Sequence, residues 1–361
     1  MRTILHNMCA LTYNRPMKNI NETTVASTPQ KKIGKRIAVF MAALITLLII
    51  IFALGPRNAF GPDTPTPREA PPNNPAQLDD WLKQKESAYS DLRPETAKSI
   101  VWVSADKQKT PWSIVYVHGF SSSHLETHPV ASIIAKQMGA NLFQTRLSGH
   151  GRSGAAMAEP SPQDWLADLM EAVRIGRTLG DRVLLIGCST GATLGTWLAV
   201  GPNANLVDAY TFISPNYGPL DKSSEIINLP WGKQIGTAIV GETYSWTAPY
   251  KRVEVIWTSS HPTKALFPMM ALVKHVREMD LAAFRSPVLM LYSERDQVVD
   301  PAEIKLAFAR ISSPIKQLES VTYSTAATQH VLAGDSTAPE SSAQMAESVS
   351  SWVKSLPSAA N

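Results

Sequence analysis

The sequence predicts an α/β protein: a mostly parallel, doubly wound sheet with an inserted cap, preceded by one N-terminal transmembrane helix. Three observations predict it. Short apolar runs alternate with helical patterns from residue 112 onward. A Gly-x-Ser-x-Gly motif sits where one of those runs passes into a helix. A charge-free apolar stretch lies near the N-terminus, at 37–55.

Composition narrows the choices. The chain has 361 residues, 44% hydrophobic and 18% charged. That excludes a disordered chain and is enough for a sizeable core. The net charge is +4, but residues 1–36 hold seven basic groups and one acid. The rest of the chain is net −2. A nucleic-acid partner for the main domain is therefore not expected, because phosphate binding needs a basic face. Two cysteines, Cys9 and Cys188, exclude a disulfide scaffold and a cysteine-rich zinc site.

Residues 1–36 read as a basic cytoplasmic tail. Residues 37–55, IAVFMAALITLLIIIFALG, carry no charge and one hydroxyl, Thr46. At ~1.5 Å per residue they reach roughly 28 Å, about the hydrocarbon thickness of a bilayer. Lys31, Lys32, Lys35 and Arg36 precede the run and only Arg57 follows closely. The positive-inside bias puts the N-terminus in the cytoplasm and the rest outside, in the periplasm if the source is a Gram-negative bacterium. The run is longer than a signal-peptide core of about 7–15 residues. Pro56 also follows the small-x-small triplet Ala53-Leu54-Gly55. An uncleaved signal anchor is expected, with the two cysteines on opposite sides of the membrane. Residues 56–76 hold seven prolines and read as a stiff, extended tether that holds the domain off the membrane.

Residues 77–361 form the expected catalytic domain. Strands are predicted at 112–117, 141–147, 182–187, 208–213 and 287–292 from short apolar, β-branched runs. Helices are predicted at 164–179, opened by Ser161-Pro162, and at 190–200, 301–311 and 340–354. Apolar strands separated by helices mean a parallel sheet covered on both faces. Residues 218–285 break the rhythm and hold Trp231, Trp246, Trp257, Phe267, Met269 and Met270. They read as a cap inserted between two strands.

Gly187-Cys188-Ser189-Thr190-Gly191 follows a strand and opens a helix. A sharp strand–serine–helix turn exposes a hydroxyl above the sheet. Gly187 and Gly191 leave room for so tight a turn, and the helix N-terminus adds partial positive charge. A serine needs a base and a group to orient that base. His330 is the one downstream histidine on a loop after the last predicted strand, and Asp296 lies in the turn after strand 287–292. Asp300 competes for the orienting role, but it precedes Pro301 and suits helix capping. Glu294 is expected to be exposed. His124 and His128 bracket Glu126, but a metal site there lacks a fourth ligand, and no metal is expected. Cys188 reads as a buried small hydrophobe. His118, His150, His261 and His275 read as structural or packing residues.

His118-Gly119-Phe120, Gly149-His150-Gly151-Arg152-Ser153-Gly154, the GCSTG turn, Ser293-Glu294-Arg295-Asp296 and Gln329-His330 together resemble an α/β-hydrolase. They are similar to the monoacylglycerol lipase and serine-aminopeptidase-like group over about residues 111–355. The resemblance implies Ser189 as nucleophile, His330 as base and then acid, and Asp296 as the orienting carboxylate. It also implies an oxyanion hole from the backbone N–H groups of Phe120 and Thr190. The function it implies is ester hydrolysis without a cofactor, on a small-molecule or lipid ester such as a monoacylglycerol. An aminopeptidase or amidase on the same residues is the main alternative, with Glu225, Glu242 or Glu254 of the cap to hold a terminal amine. Carbon–carbon bond cleavage and a non-catalytic binding protein are the others. Nothing in the sequence fixes an oligomeric state.

Overall fold

The computed structural model describes residues 30–357. Residues 1–29, most of the expected basic tail and Cys9 among them, lie outside the described residues. The chain divides into two units, meeting at Ala53 and Leu54.

The first unit contributes helix α1 (Gln30–Ala53). Its stretch Gly34–Ala53 has a mean hydropathy of 2.6, with none of it buried. It is long and apolar enough to cross a membrane or to act as a signal sequence. The Thr46 hydroxyl donates to the Ala42 carbonyl at 2.9 Å, so it is satisfied within the helix.

The second unit begins with α2 (Leu78–Glu86), β1 (Ser99–Val101), β2 (Thr110–Val117), α3 (Val130–Met138) and β3 (Asn141–Gln144). It continues through α4 (Pro162–Leu179), β4 (Gly180–Cys188), α5 (Thr190–Val200) and β5 (Ala209–Ile213). Between β5 and the next sheet strand come α6 (Gly232–Val240), β6 (Thr243–Ser245), α7 (Lys251–Ile256), β7 (Ser260–Pro262) and α8 (Leu266–Glu278). The chain then returns to the sheet as β8 (Val288–Tyr292), α9 (Pro301–Arg310), β9 (Lys316–Ser320) and α10 (Ser342–Lys354).

The main sheet has the order β1-β3-β2-β4-β5-β8-β9. Only β1 runs antiparallel to its neighbour. The period of two along each strand separates two cores. Val115, Val117, Val183 and Leu185 face one, under α4 and α5. Ile114, Tyr116, Leu184 and Ile186 face the other, with residues of α3 and α10. Helix α4 starts where Ser161 predicts: its side chain accepts from the Asp164 N–H and Asp164 reciprocates. Strand β4, at the centre, carries the serine turn at its carboxyl end.

The proline-rich segment differs from the expectation. It lies along the domain instead of standing clear of it. A proline-rich chain makes no internal hydrogen bonds, so its carbonyls stay available, and the domain takes them. Gln163 Nε2 donates to the Phe60 and Pro62 carbonyls, each at 2.8 Å. The Trp231 N–H donates to the Pro56 carbonyl at 2.8 Å. Asn58 is buried and donates to the Phe267 carbonyl at 2.8 Å. The Phe60 ring stacks on His275 with centroids 4.0 Å apart. Trp197 Nε1 donates to Asp63 at 2.6 Å, and Arg68 pairs with the buried Asp168. Residues 54–76 therefore act as a strap across α4, α5 and α8. Deleting them from the second unit is expected to lower its Tm by about 5 °C or more. Equal melting of the strapped and strapless chains would show that these contacts carry no stability.

Candidate active site

Ser189 follows β4 and precedes α5 with φ 52° and ψ −115°. That is a costly conformation for a residue with a side chain. Its N–H extends the sheet by donating to the Ile213 carbonyl at 2.9 Å. Its carbonyl accepts from Ala192, Thr193 and Asn216. The turn closes because its flanking positions lack side chains. A Cβ on Gly191 would lie 2.0 Å from the Val117 carbonyl oxygen, and one on Gly187 would lie 2.7 Å from the Ala192 nitrogen.

The strain is not confined to Ser189. Ser121, Ser214 and Gln329 also have positive φ. Ser121 lies in the same turn as Gly119, where a Cβ would meet Ser189 Cβ at 3.1 Å; Ser214 follows the Ile213 that bonds Ser189, and Gln329 precedes His330. Such outliers persist where the surrounding structure over-determines them, and they cluster at functional sites.

Asp296 and His330 meet across two neighbouring loops. His330 Nδ1 lies 2.8 Å from Asp296 Oδ2. The other carboxylate oxygen accepts from the N–H groups of Val298 at 2.8 Å and Val299 at 3.0 Å. The Asp296 side chain is fully buried. Gln329 ties the histidine loop down: its Nε2 donates to the Ser324 and Ala326 carbonyls, and its Oε1 accepts from Ser293 Oγ and Arg295. The Gln297 N–H donates to the Thr328 carbonyl at 2.9 Å. Ser214 brings the pair to the serine. Its hydroxyl donates to the His330 carbonyl at 2.7 Å, while the preceding residue, Ile213, accepts from Ser189. Among the described residues no hydrogen bond joins Ser189 to His330.

The turn after β2 completes the site. The Ser121 carbonyl accepts from the Thr258 N–H of the cap at 2.6 Å. The Phe120 ring packs edge-on against His150, Trp165 and His261. Neither the Phe120 nor the Thr190 amide donates to another group among the described residues.

The remaining candidates fall into structural roles. Asp300 caps α9 through the Ala302 N–H and pairs with Lys222 at 2.7 Å. Glu294 is exposed and bonds Lys305. His118 donates from Nδ1 to the Gly119 carbonyl and accepts the Leu147 N–H at Nε2. Burial pushes His118 well below the usual imidazole range and His150 down to about 4. Burial pushes the Cys188 thiol up, so it is a poor nucleophile. His124, Glu126 and His128 do not converge: the histidines reach Ala97 and Asp335, and Glu126 turns inward to Gly119. Asn216 went unread in the sequence, where Ser214-Pro215-Asn216 signals only a turn. Its Nδ2 lies 3.7 Å from Met269 Sδ of α8.

A parallel sheet with a strained serine turn at its central strand and a cap between β5 and β8 is the α/β-hydrolase fold. Within that fold the chain belongs to the serine aminopeptidase, S33, family, whose model matches residues 108–325. It is similar to a thermostable monoacylglycerol lipase of Bacillus sp. (strain H-257), 25% identical over 210 residues, which are 58% of this chain and 80% of that one. Among solved structures it resembles a soluble variant of the monoglyceride lipase of Saccharomyces cerevisiae. That match has TM-score 0.54 and 14% identity, over 72% of this chain and 90% of that one. A monoacylglycerol lipase of Paleococcus ferrophilus matches with TM-score 0.51 and 14% identity, over 72% and 98%. The chain is thus a hydrolase of the monoacylglycerol lipase and serine aminopeptidase-like group.

Proposed function

We propose that the chain is a membrane-anchored serine hydrolase that cleaves carboxylic esters, those of acyl lipids such as monoacylglycerols among them. The observation that carries this reading is the strained Ser189 beside an Asp296–His330 pair held at 2.8 Å. His330 Nε2 takes the Ser189 proton as Oγ attacks the ester carbonyl. The oxyanion forms against the Phe120 and Thr190 amides, a type of contact whose loss costs about 10²–10³ in rate. The tetrahedral intermediate expels the alcohol, which takes the proton from His330. Water, deprotonated by His330, then attacks the acyl-enzyme, and Ser189 leaves with that proton and releases the acid. Apart from the ester and water, every group in this route is the chain's own.

Two observations support an acyl substrate over a peptide. The cap buries an apolar cluster of Ile227, Phe267 and Met270, with Met269 packed beside it. Met269 touches Asn216, whose N–H is bonded to Ser189. Met269 is the partly exposed member of this group, and an acyl chain entering beside the serine would meet it. Of the cap acids, Glu225 is already held by Arg277 and Asn228, each at 2.8 Å. Glu242 and Glu254 are exposed. The proposed topology keeps the N-terminus in the cytoplasm and the catalytic domain on the other side, with α1 as the anchor.

The test is a series of glyceryl esters of increasing acyl length, set beside amino-acid amides. Rising kcat/KM with chain length is expected, with no amide release. Faster release from amino-acid amides would move the assignment to an aminopeptidase. A preference for short, soluble esters would remove the lipid part of the reading.

A further inference from the structure

Beneath the candidate oxyanion turn sits a carboxyl that the proposed chemistry does not use. Glu126 is 2% exposed. Its Oε1 accepts the Gly119 N–H at 2.8 Å and the Tyr116 hydroxyl at 3.0 Å. Thr127 in turn donates to Tyr116 at 2.8 Å. The Ser122 hydroxyl and the Cys188 thiol also contact the carboxyl. None of these partners is a cation. A Cβ built on Gly119 would meet Ser189 Cβ at 3.1 Å and Glu126 Oε2 at 3.2 Å. One carbon would bridge the carboxyl and the nucleophile, and the next residue after Gly119 is Phe120.

We propose that Glu126 is a positioning residue that works as a neutral carboxylic acid: it clamps the Gly119–Phe120 turn, and its ionisation slows ester hydrolysis by setting a fixed negative charge beside the oxyanion. The inference rests on the ester-hydrolase reading. Burial pushes the Glu126 carboxyl up to about 7, against the pull of the Gly119 N–H, the Ser122 and Tyr116 hydroxyls and His330. The titratable groups that face it are Tyr116 from β2, Cys188 from the end of β4 and His330 from the loop after β9. Burial pushes Tyr116 and Cys188 upward as well, so both stay neutral. His330 already serves as the base.

Two effects of the ionised form oppose each other. An anionic Glu126 would attract the His330 imidazolium, yet Asp296 already holds that ring at 2.8 Å. The same charge would repel the oxyanion, whose amide donor is part of the turn that Glu126 grips. Because the oxyanion forms on the turn that Glu126 itself grips, we take its repulsion as the larger effect; at an effective dielectric near 20 a charge several ångströms away changes a rate by about tenfold or more. Stability has the matching sign. The unfolded carboxyl ionises in its ordinary range and the folded one only near about 7. Folding stability is therefore full below the ordinary carboxyl range and falls as pH rises through that window.

The experiment is kcat against pH for the full-length protein in mild detergent, wild type and Glu126→Gln, on one soluble ester. The wild type is expected to gain activity as its base deprotonates, then lose about tenfold or more above about pH 7. Glu126→Gln, neutral at every pH, is expected to keep its activity there. A wild-type plateau without that fall, or the same fall in the variant, overturns the inference and leaves the hydrolase reading intact. No ester turnover by the wild type at any pH overturns both. Should the variant fail to fold, infrared difference spectra of the wild type decide. Loss of a protonated-carboxyl band between about pH 6 and about pH 8 is expected, and its absence overturns the inference.

Discussion

Ser189→Ala is expected to lower ester turnover by about 10⁴- to 10⁶-fold while the protein melts at the wild-type temperature. The hydroxyl makes no capping bond to α5, so the helix start does not depend on it. The backbone conformation is set by Gly187, Gly191 and the Ile213 carbonyl, and alanine meets the same φ constraint as serine. What is lost is the atom proposed to attack. Cys188 cannot replace it, because that thiol is fully buried and burial pushes it away from ionisation. Residual rate over water would come from the Phe120 and Thr190 amides and from substrate binding. Turnover within tenfold of wild type would place the nucleophile elsewhere and end the triad reading.

The sequence was legible where one physical signal dominated. Strands β2, β4, β5 and β8 are buried on both faces, so they appear as unbroken apolar runs. Helix α4 announced itself through Ser161-Pro162. The edges of the sheet were silent: β9 is KQLES, half exposed, and β1 spans three residues. The reading of His330 does not depend on β9, because the order Ser189, Asp296, His330 is independent of that strand. The strap is hidden in the sequence for a different reason. Seven prolines dictate extended backbone, but not what that backbone touches, and the partners Gln163, Trp231 and Phe267 lie far along the chain. The strained loop positions were equally hidden, since Ser121, Ser214 and Gln329 are not glycines. Glu126 was visible only as the middle of a histidine-flanked triplet. Its inward turn toward Gly119 depends on a loop that no local pattern encodes.

Asp296 and Asp300 were both open as the orienting carboxylate, and their asparagine variants separate the two roles. Asp296→Asn is expected to lower kcat by about 10⁴-fold with little change in folding. The reason lies in how the side chain is shared. One oxygen accepts two backbone N–H groups, from Val298 and Val299, so an asparagine there keeps its carbonyl oxygen on that side. Its NH₂ then faces His330 and donates to Nδ1. The ring must carry its proton on Nε2 instead, and a protonated Nε2 cannot accept the Ser189 proton. Asp300→Asn should leave kcat close to wild type. Asparagine caps a helix about as well as aspartate, so the bond to Ala302 survives. The lost pair with the half-exposed Lys222 is worth at most about 1 kcal/mol. Melting curves of both variants would check that neither effect is a folding defect. If Asp300→Asn proved the crippled enzyme and Asp296→Asn the healthy one, the 2.8 Å contact between Asp296 and His330 would not be the one that orients the base.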